Sequence, residues 1–228
     1  MLNLCLNGRD TGPLRLLCLG AHCDDIEIGC GGMILKLAAA RAVEVHWVVF
    51  SSDEQRKQEA LNSAHAFLEG VAASRITIQA FRDGFFPYAG TEIKEHFEQL
   101  KTKFSPDVIL THYRHDLHQD HRLVSELTWN TFRNHLILEY EIPKYDGDFG
   151  SPNLFASLDE PTCRRKIDII LGAYQSQSGK HWFSRDLFSS ILRLRGMEAN
   201  ASSGYAEGFY CRKALLEIPK VTEGSILV

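Results

Sequence analysis

Short apolar runs alternate with amphipathic segments over the first 132 residues, and this alternation constrains the fold more than any other feature of the chain. Predicted strands cover residues 14–19, 43–50, 76–80 and 108–111, and predicted helices cover residues 29–41, 53–69, 91–104 and 120–132. Pro106 ends the third helical segment before the fourth strand. Strands that alternate with helices of this length form parallel sheets with helices on both faces. We therefore predict a Rossmann-like three-layer α/β fold with a mostly parallel sheet.

The rest of the chain is less regular. We expect a strand over residues 136–142, a loop rich in Gly, Pro and Asp over 143–152, a helix from Pro161 to about residue 174, and a terminal strand over 215–218. The 228 residues, 44% of them hydrophobic, can bury a core of ordinary size, and the sequence contains no internal repeat. We predict a single domain over residues 1–228.

Charge and cysteine content argue against several functional classes. The 25 basic and 29 acidic residues give a formal net charge of -4, and no basic run is long enough to suggest a nucleic-acid surface. The six cysteines form no C-x-x-C pair, so we predict a reducing, cytoplasmic location. No run approaches the roughly 20 apolar residues of a membrane span. We expect neither a nucleic-acid partner nor a membrane span, and the oligomeric state stays open, a homo-oligomer included.

Two polar clusters follow the first and fourth predicted strands. Residues 21–27 read AHCDDIE, and residues 115–121 read HDLHQDH. Because strand ends meet near the topological switch point of a parallel sheet, His22, Asp25 and His121 can converge there. Two imidazoles and one carboxylate form the open ligand set of a catalytic zinc site, with a position left for water. The clusters therefore predict a metal hydrolase with its metal site at the carboxyl ends of the strands.

These clusters also carry a resemblance to a known family. AHCDDIE is similar to A-H-P-D-D-x-E, and HQDH at residues 118–121 is similar to H-x-D-H. Both are signatures of the PIG-L/LmbE-like family of zinc-dependent N-acetylglucosaminyl deacetylases. The resemblance implies Zn²⁺ as the cofactor, and a mixed nitrogen and oxygen site of this kind also accepts Fe²⁺.

The same resemblance assigns roles to individual residues. It implies that His22, Asp25 and His121 bind the metal ion. It implies that Asp24 is the base that accepts a proton from the attacking water. It implies that His118 stabilises the oxyanion and assists protonation of the departing amine.

Four further residues are candidates for supporting roles. Asp120, and less directly Asp116, are predicted to orient an imidazole of the site, as acids behind metal ligands commonly do. Arg56 and Asp83 resemble family segments that bind sugar hydroxyls. The alternative interpretation is an ordinary solvated helix face for Arg56 and an ordinary turn for Asp83.

Other residues near the clusters have simpler interpretations. Cys23 stands where the family has proline, and it is either a small buried side chain or a soft metal ligand. Glu27 is expected to stabilise the loop or the helix start rather than to bind metal. His112 either lines the mouth of the site or is structural. The glycines at 29, 31 and 32 do not fit a dinucleotide fingerprint, so we predict that they allow close packing of the helix against the sheet.

The predicted function is metal-dependent hydrolysis of an N-acetyl group from an amino sugar or sugar conjugate, which gives acetate and a free amine. Two alternatives remain open. One is a non-catalytic, metal-containing carbohydrate-binding protein, against which the retained Asp24 argues. The other is a deacylase of a different N-acylated small molecule, which the same centre would serve. The expected partner in either enzyme is a small-molecule substrate.

Overall fold

A computed structural model describes residues 3–6 and 12–216 of the chain. Within these residues, strands β1 to β7 span Leu14–Gly20, Val43–Val49, Ala73–Ile78, Val108–His112, Leu136–Tyr140, Leu154–Leu158 and Tyr205–Cys211. Helices α1 to α6 span Asp25–Ala40, Glu54–Phe67, Gly90–Lys103, Gln119–Thr131, Glu160–Ala173 and Arg185–Glu198. Short 3₁₀ turns cover Phe86–Ala89 and Gln175–Gln177.

The strands form one sheet in the order β3-β2-β1-β4-β5-β7-β6. Strands β1 to β5 are parallel, and β7 runs antiparallel to both β5 and β6. From β1 the chain moves outward through β2 to β3, and it then returns to the other side of β1 as β4. This reversal between β1 and β4 is a topological switch point, and α/β sheets bind ligands in the crevice beyond the strand ends at such points.

Alternate residues of the strands face two separate hydrophobic layers. In β1, Leu16 and Cys18 pack into the layer formed with α1, α2, α5 and α6, whereas Leu17 and Leu19 pack into the layer formed with α3 and α4. This alternation follows from the two-residue period of a strand. The sheet is thus covered on both faces, and the predicted three-layer α/β fold is confirmed.

The predicted elements of the first 132 residues are all present. One of their boundaries differs from the prediction in a way that affects the site. Helix α1 begins at Asp25, four residues before the predicted start, so the second half of the first polar cluster is helical. None of the helices in the described part of the chain is long and apolar enough to cross a membrane.

The prediction was less successful in the last third of the chain. Residues 215 and 216 of the predicted terminal strand are not in a strand, and residues 217 and 218 lie outside the described residues. The last described strand is β7 instead, and β6 and α6 were also missed. Strand β7 does not resemble an apolar strand because it contains Glu207, which is buried against Lys166 at 2.6 Å.

The predicted role of the glycines at the start of α1 is supported by their contacts. A Cβ atom on Gly29 would overlap the ring of Tyr140, and one on Gly32 would overlap the side chain of Leu158. Tyr140 is fully buried, and its hydroxyl donates a 2.6 Å hydrogen bond to the carbonyl of Leu19 at the end of β1. Glycine therefore allows α1 to approach the sheet closely beside the switch point.

This close approach gives a testable stability difference. We expect Gly29→Ala to lower the free energy of unfolding by about 1–3 kcal/mol, because Tyr140 cannot move without losing its hydrogen bond. Gly172→Ala is the matched control, since a Cβ there would meet no atom within 4 Å. That variant should be unchanged or more stable by up to about 1 kcal/mol, because alanine is the better helix former. Urea unfolding measures both, and equal effects of the two substitutions would contradict the packing argument.

Candidate metal centre

The first polar cluster lies in the turn between β1 and α1. Strand β1 ends at Gly20, and the carbonyl of Ala21 accepts a hydrogen bond from the backbone N–H of Ser51 after β2. Asp25 is the first residue of α1, and its Oδ2 accepts a 2.6 Å hydrogen bond from the backbone N–H of His22. This contact closes the turn and places the largely buried ring of His22 beside the Asp25 carboxylate.

The second cluster lies between β4 and α4. Strand β4 ends at His112 and α4 begins at Gln119, so a short loop connects them. His118 caps α4, because its Nδ1 accepts a 3.3 Å hydrogen bond from the backbone N–H of Asp120. His121 lies in the first turn of α4 and is buried. Because β1 and β4 are neighbours, the two clusters face each other at the switch point.

The three predicted ligands converge. The Nδ1 atom of His22 lies 3.1 Å from the Nε2 atom of His121. The Asp25 carboxylate lies 3.5 Å from the first nitrogen through Oδ2 and 3.6 Å from the second through Oδ1. Donor atoms bound tetrahedrally to zinc at about 2.0–2.1 Å lie roughly 3.3–3.4 Å apart. The two imidazole nitrogens are thus spaced as ligands of one small cation would be, and each has a different oxygen of Asp25 beside it.

Carboxylates on the far side of each ring fix the orientation of the two imidazoles. The Nδ1 atom of His121 lies 2.9 Å from Oδ2 of Asp116. The Nε2 atom of His22 lies 3.1 Å from Oδ1 of Asp83 and 3.3 Å from Oδ2 of Asp120. When each carboxylate accepts a ring N–H, the remaining nitrogens of the two rings direct their lone pairs at each other. Facing lone pairs need a cation between them, so the donor set fits a divalent metal ion.

The charge states of the two rings are consistent with this fit. Burial alone would lower the pKa of His22, but the surrounding carboxylates, that of Asp120 foremost, raise it well above 6.5. Burial, together with the neighbouring His112, lowers the pKa of His121 to about 3. A protonated His22 therefore donates its Nδ1–H to a neutral His121, in the space that suits a cation. A metal ion that binds there displaces this proton, so metal affinity should fall as the pH falls.

Other donors surround the same point. Among the described residues, three overlapping groups bring their donor atoms within 4.8 Å of one another, and these are His22, His118 and His121; His22, Asp83, His118 and Asp120; and Asp25, His112 and His121. The predicted trio draws on the first and third of these groups. His118 and Asp83 thus lie close enough to compete for the ion.

His112 is a part of the site whose role the sequence left open. Its buried ring stacks on His121 with 4.0 Å between ring centroids. Its Nε2 atom accepts a 3.0 Å hydrogen bond from the backbone N–H of Ala21 and lies 3.1 Å from Oδ2 of Asp25. Because this nitrogen accepts the Ala21 N–H, His112 holds the turn after β1 in place and lies in contact with the Asp25 carboxylate. The one sequence signal is its position as the last residue of β4.

Asp24 differs from Asp25 in its partners. It belongs to none of the three donor groups, and its Oδ1 accepts a 2.9 Å hydrogen bond from the guanidinium of Arg56. Burial raises the pKa of Asp24 from its ordinary value of 3.8, while Arg56 opposes this shift and Asp25 adds to it. The site thus contains, beside the donors, a buried carboxylate whose proton affinity is increased. The structure places Arg56, which we predicted to bind substrate, on this carboxylate.

His118 presents an N–H group to the site. Its Nδ1 is occupied as an acceptor of the Asp120 backbone N–H, so the neutral ring carries its hydrogen at Nε2. Burial and the charge of His22 lower the pKa of His118, which favours this neutral form near pH 7. The ring lies edge-on to His22 with 4.9 Å between centroids. His118 can therefore donate a hydrogen bond close to the three predicted ligands.

The two predicted supporting acids also hold backbone segments. Asp120 accepts hydrogen bonds from the backbone N–H groups of Gly84 at 2.7 Å and Phe86 at 3.1 Å. It therefore ties the loop after β3 to the start of α4. Asp116 accepts a 2.7 Å hydrogen bond from the backbone N–H of His118. Both acids thus touch an imidazole and a loop at the same time.

Cys23 and Glu27 are buried and belong to none of the donor groups. The Sγ–H of Cys23 donates to the carbonyl of Ser51 at 3.3 Å, and burial raises the pKa of this thiol to about 12. A protonated thiol is a poor ligand, so the interpretation as a small buried side chain is favoured. Glu27 pairs through Oε1 with the hydroxyl of Tyr174 at 2.5 Å, which is the supporting contact expected of it.

Glu27 should make the stability of the protein depend on pH. Burial raises its pKa from 4.5 to about 8. The single hydroxyl hydrogen of Tyr174 faces two acceptors, the carbonyl of Cys23 and Glu27, and protonation of Glu27 resolves this conflict. Because the folded pKa is raised, this contribution to stability is full below about pH 4.5 and is lost as the pH rises through 8.

The neutral variant Glu27→Gln removes this titration. Between about pH 5 and pH 8.5, the wild-type free energy of unfolding should fall by about 2–5 kcal/mol relative to that of the variant. Urea unfolding of both proteins across this range measures the difference. Parallel pH profiles would show that Glu27 is ionised in the folded protein.

The sequence also matches a known family. Residues 17–132 match the family described as PIG-L, GlcNAc-PI de-N-acetylase. This span covers about half of the chain and contains both polar clusters. The chain belongs to the PIG-L family. The resemblance carried by AHCDDIE and HQDH is thereby confirmed, and the PIG-L match ends within one residue of the end of α4.

Solved structures with the same fold include deacetylases similar to this PIG-L chain. N,N'-diacetylchitobiose deacetylase from Pyrococcus horikoshii is 21% identical with a TM-score of 0.61, and the match covers 86% of this chain and 82% of that one. The zinc-inhibited form of teicoplanin deacetylase Orf2 is 14% identical with a TM-score of 0.67, covering 86% and 97% of the two chains.

The fold also occurs with a different reaction. GalB, the 4-carboxy-2-hydroxymuconate hydratase from Pseudomonas putida KT2440, is 16% identical with a TM-score of 0.67, covering 91% of this chain and 99% of that one. At these identities the likeness concerns the fold alone. The reaction of this PIG-L chain must therefore be argued from its own site.

Proposed function

We propose that the protein is a metal-dependent N-deacetylase that hydrolyses the acetamide of an amino sugar or sugar conjugate to acetate and a free amine. The observation that carries this proposal is the convergence of His22, Asp25 and His121, with the far side of each ring held by a carboxylate. The family match and the deacetylases among the structural relatives support the same reaction. We propose Zn²⁺ as the ion, with Fe²⁺ as the alternative for this donor set.

His22 Nδ1, the Asp25 carboxylate and His121 Nε2 would hold the metal ion. Burial opposes ionisation of Asp25, but His121 and His112 hold its pKa well below 3.8, so it stays an anionic ligand. When bound, zinc lowers the pKa of a coordinated water from about 15.7 toward 7 and polarises the amide carbonyl. Asp116 keeps His121 in place, and His112 holds the turn that carries His22 and Asp25.

Asp24 is the proposed general base. It is buried beside the ligands but bound to none of them, and its raised pKa brings its proton affinity closer to neutral pH, where general bases are most effective. The hydrogen bond from Arg56 steadies one carboxylate oxygen and opposes full protonation. Asp24 can therefore accept the proton of the attacking water and later deliver it to the amine nitrogen.

His118 is the proposed hydrogen-bond donor to the oxyanion. Its Nε2–H is the group that would bind the carbonyl oxygen as negative charge develops on it. Because the backbone of Asp120 fixes the other nitrogen, this hydrogen is oriented before substrate binds. Such preorganised donors commonly contribute about 10²-fold to 10³-fold in turnover.

Substrate recognition is proposed for Asp83 and Arg56. The Asp83 side chain is 68% exposed while one of its oxygens contacts His22, so it lies at the open side of the site, where a sugar hydroxyl can reach it. Arg56 is mostly engaged with Asp24, which places it at the reacting group rather than at the rim. We further propose that residues 1–228 act as one domain and that the protein is cytoplasmic, which its six unpaired cysteines support.

Acetate release tests the proposal. The protein is stripped with a chelator, reloaded with one equivalent of Zn²⁺ or Fe²⁺, and offered N-acetylglucosamine, N,N'-diacetylchitobiose, nucleotide-linked N-acetyl sugars, N-acetylglucosaminyl conjugates and N-acetylated aminoglycosides. Stoichiometric loading matters because zinc accompanies inhibition in one structural relative. We expect acetate and amine in equal amounts only from the metal-loaded protein. Metal binding without release from any substrate would overturn the deacetylase proposal and favour the carbohydrate-binding alternative or another reaction on this fold.

A further inference from the structure

Lys144 connects the loop between β5 and β6 to the metal centre. Its ammonium lies 2.8 Å from Oδ2 of Asp116 and 2.7 Å from Oδ1 of Asp148, and it donates a weaker 3.3 Å hydrogen bond to the carbonyl of Ile142. The side chain is only 13% exposed, although it lies in a loop rich in Gly, Pro and Asp. A lysine this well buried with three acceptors has a fixed position.

Asp116 connects Lys144 to the candidate metal centre. The same Oδ2 that binds Lys144 accepts the Nδ1–H of His121 at 2.9 Å, and Oδ1 accepts the backbone N–H of His118. Both carboxylate oxygens are thus occupied, by three donors from two segments of the chain. Without Lys144 the carboxylate would keep its two donors from the α4 side but lose the contact from the opposite side.

Asp148 anchors the lysine in turn. Its Oδ2 accepts a 2.7 Å hydrogen bond from the backbone N–H of Leu117, the residue between Asp116 and His118 in the second cluster. The loop therefore holds the cluster at two points, Asp116 and Leu117. Lys144 makes the first contact directly and the second through Asp148.

We propose that Lys144 is a positioning residue that holds Asp116, and through it His121, in the orientation that binds metal. This inference rests on the proposed function in taking His121 as a metal ligand. Carboxylates that bind the far nitrogen of a ligating histidine commonly change metal affinity about 10-fold to 100-fold when they are altered. The contribution of Lys144 acts through one such carboxylate.

Charge and positioning predict opposite effects for removal of this lysine. A positive charge close to a cation site repels the cation, so its loss would by itself strengthen zinc binding. Loss of the contact that orients Asp116 would weaken zinc binding. A weaker affinity in a neutral variant therefore reports positioning and cannot be a charge effect.

The experiment compares zinc affinity in four variants by competition with a chromophoric chelator, at fixed pH and without substrate. We expect Lys144→Met to bind zinc about tenfold more weakly than wild type and Lys144→Arg to stay within about threefold, because a guanidinium can bridge the same carboxylates. Asp148→Asn, which loosens the anchor but keeps an acceptor for Leu117, should weaken binding about threefold. Lys94→Met is the matched control, since Lys94 contacts Glu98 on α3 and Thr131 at the far end of α4 from the site, and the affinity of this variant should equal that of wild type.

Unfolding midpoints in urea identify variants that fail to fold, and the arginine and asparagine variants keep the test decisive if Lys144→Met is one of them. Unchanged or tighter zinc binding by folded Lys144→Met would overturn the proposal. An equal loss in Lys94→Met would overturn it as well. Because no substrate is used, failure here is distinct from failure of the deacetylase proposal, in which the wild type binds zinc and releases no acetate.

Discussion

His121→Ala is expected to abolish zinc binding at one equivalent and to lower acetate release by at least about 10³-fold, because two remaining ligands cannot hold the ion that activates the water. Zinc content after gel filtration and initial rates of acetate release measure the two effects. His115→Ala is the matched control, since this exposed histidine of the same segment packs edge-on against Tyr113 and belongs to none of the donor groups.

His115→Ala should retain wild-type zinc content and turnover. If His121→Ala binds one equivalent of zinc with wild-type affinity, the ion is held by other residues. The group of His22, Asp83, His118 and Asp120 would then be the first alternative, because it is the one donor group among the described residues that does not include His121.

Asp24→Asn is expected to lower turnover by about 10²-fold to 10⁴-fold while zinc content stays at one equivalent. Asparagine has nearly the same shape and still accepts the hydrogen bond from Arg56, but it cannot take a proton from water. Wild-type turnover should rise with pH as Asp24 ionises, and this acid limb should be absent from the residual activity of the variant. Rates and zinc content across pH test both statements.

Asp53→Asn is the control for this second prediction. Asp53 caps α2 three residues before Arg56, and asparagine caps helices as well as aspartate does. Its turnover should therefore be unchanged. Unchanged turnover in Asp24→Asn would defeat the assignment of the base, and loss of zinc from that variant would show that Asp24 is a ligand.

The first part of the fold could be predicted from the sequence because its signals are local. Strands β1 and β2 are mostly apolar, and Pro106 marks the boundary before β4. Strand β7 carried no such signal, because the charge of Glu207 is neutralised in the interior by Lys166, 41 residues earlier in the chain. A partner at that distance leaves no trace in a local pattern.

The same distinction applies to the site. The residues of the two clusters were found because each cluster is a short motif after a strand. The contacts of Lys144 with Asp116 and of Arg56 with Asp24 join segments 28 and 32 residues apart, and neither could be inferred from spacing. The prediction that Arg56 binds substrate came from its position in a motif. Its contact with Asp24 depends instead on how α2 packs beside the turn after β1.

The most direct test of the account is a crystal structure of the zinc-loaded protein with anomalous data collected at the zinc edge. We predict one strong peak bonded to His22 Nδ1, the Asp25 carboxylate and His121 Nε2 at about 2.0–2.2 Å, with His118 and Asp24 close by but not bonded. A peak bonded instead to His112 with Asp25 and His121, or to His22 with Asp83, His118 and Asp120, would contradict the proposed centre and the roles derived from it.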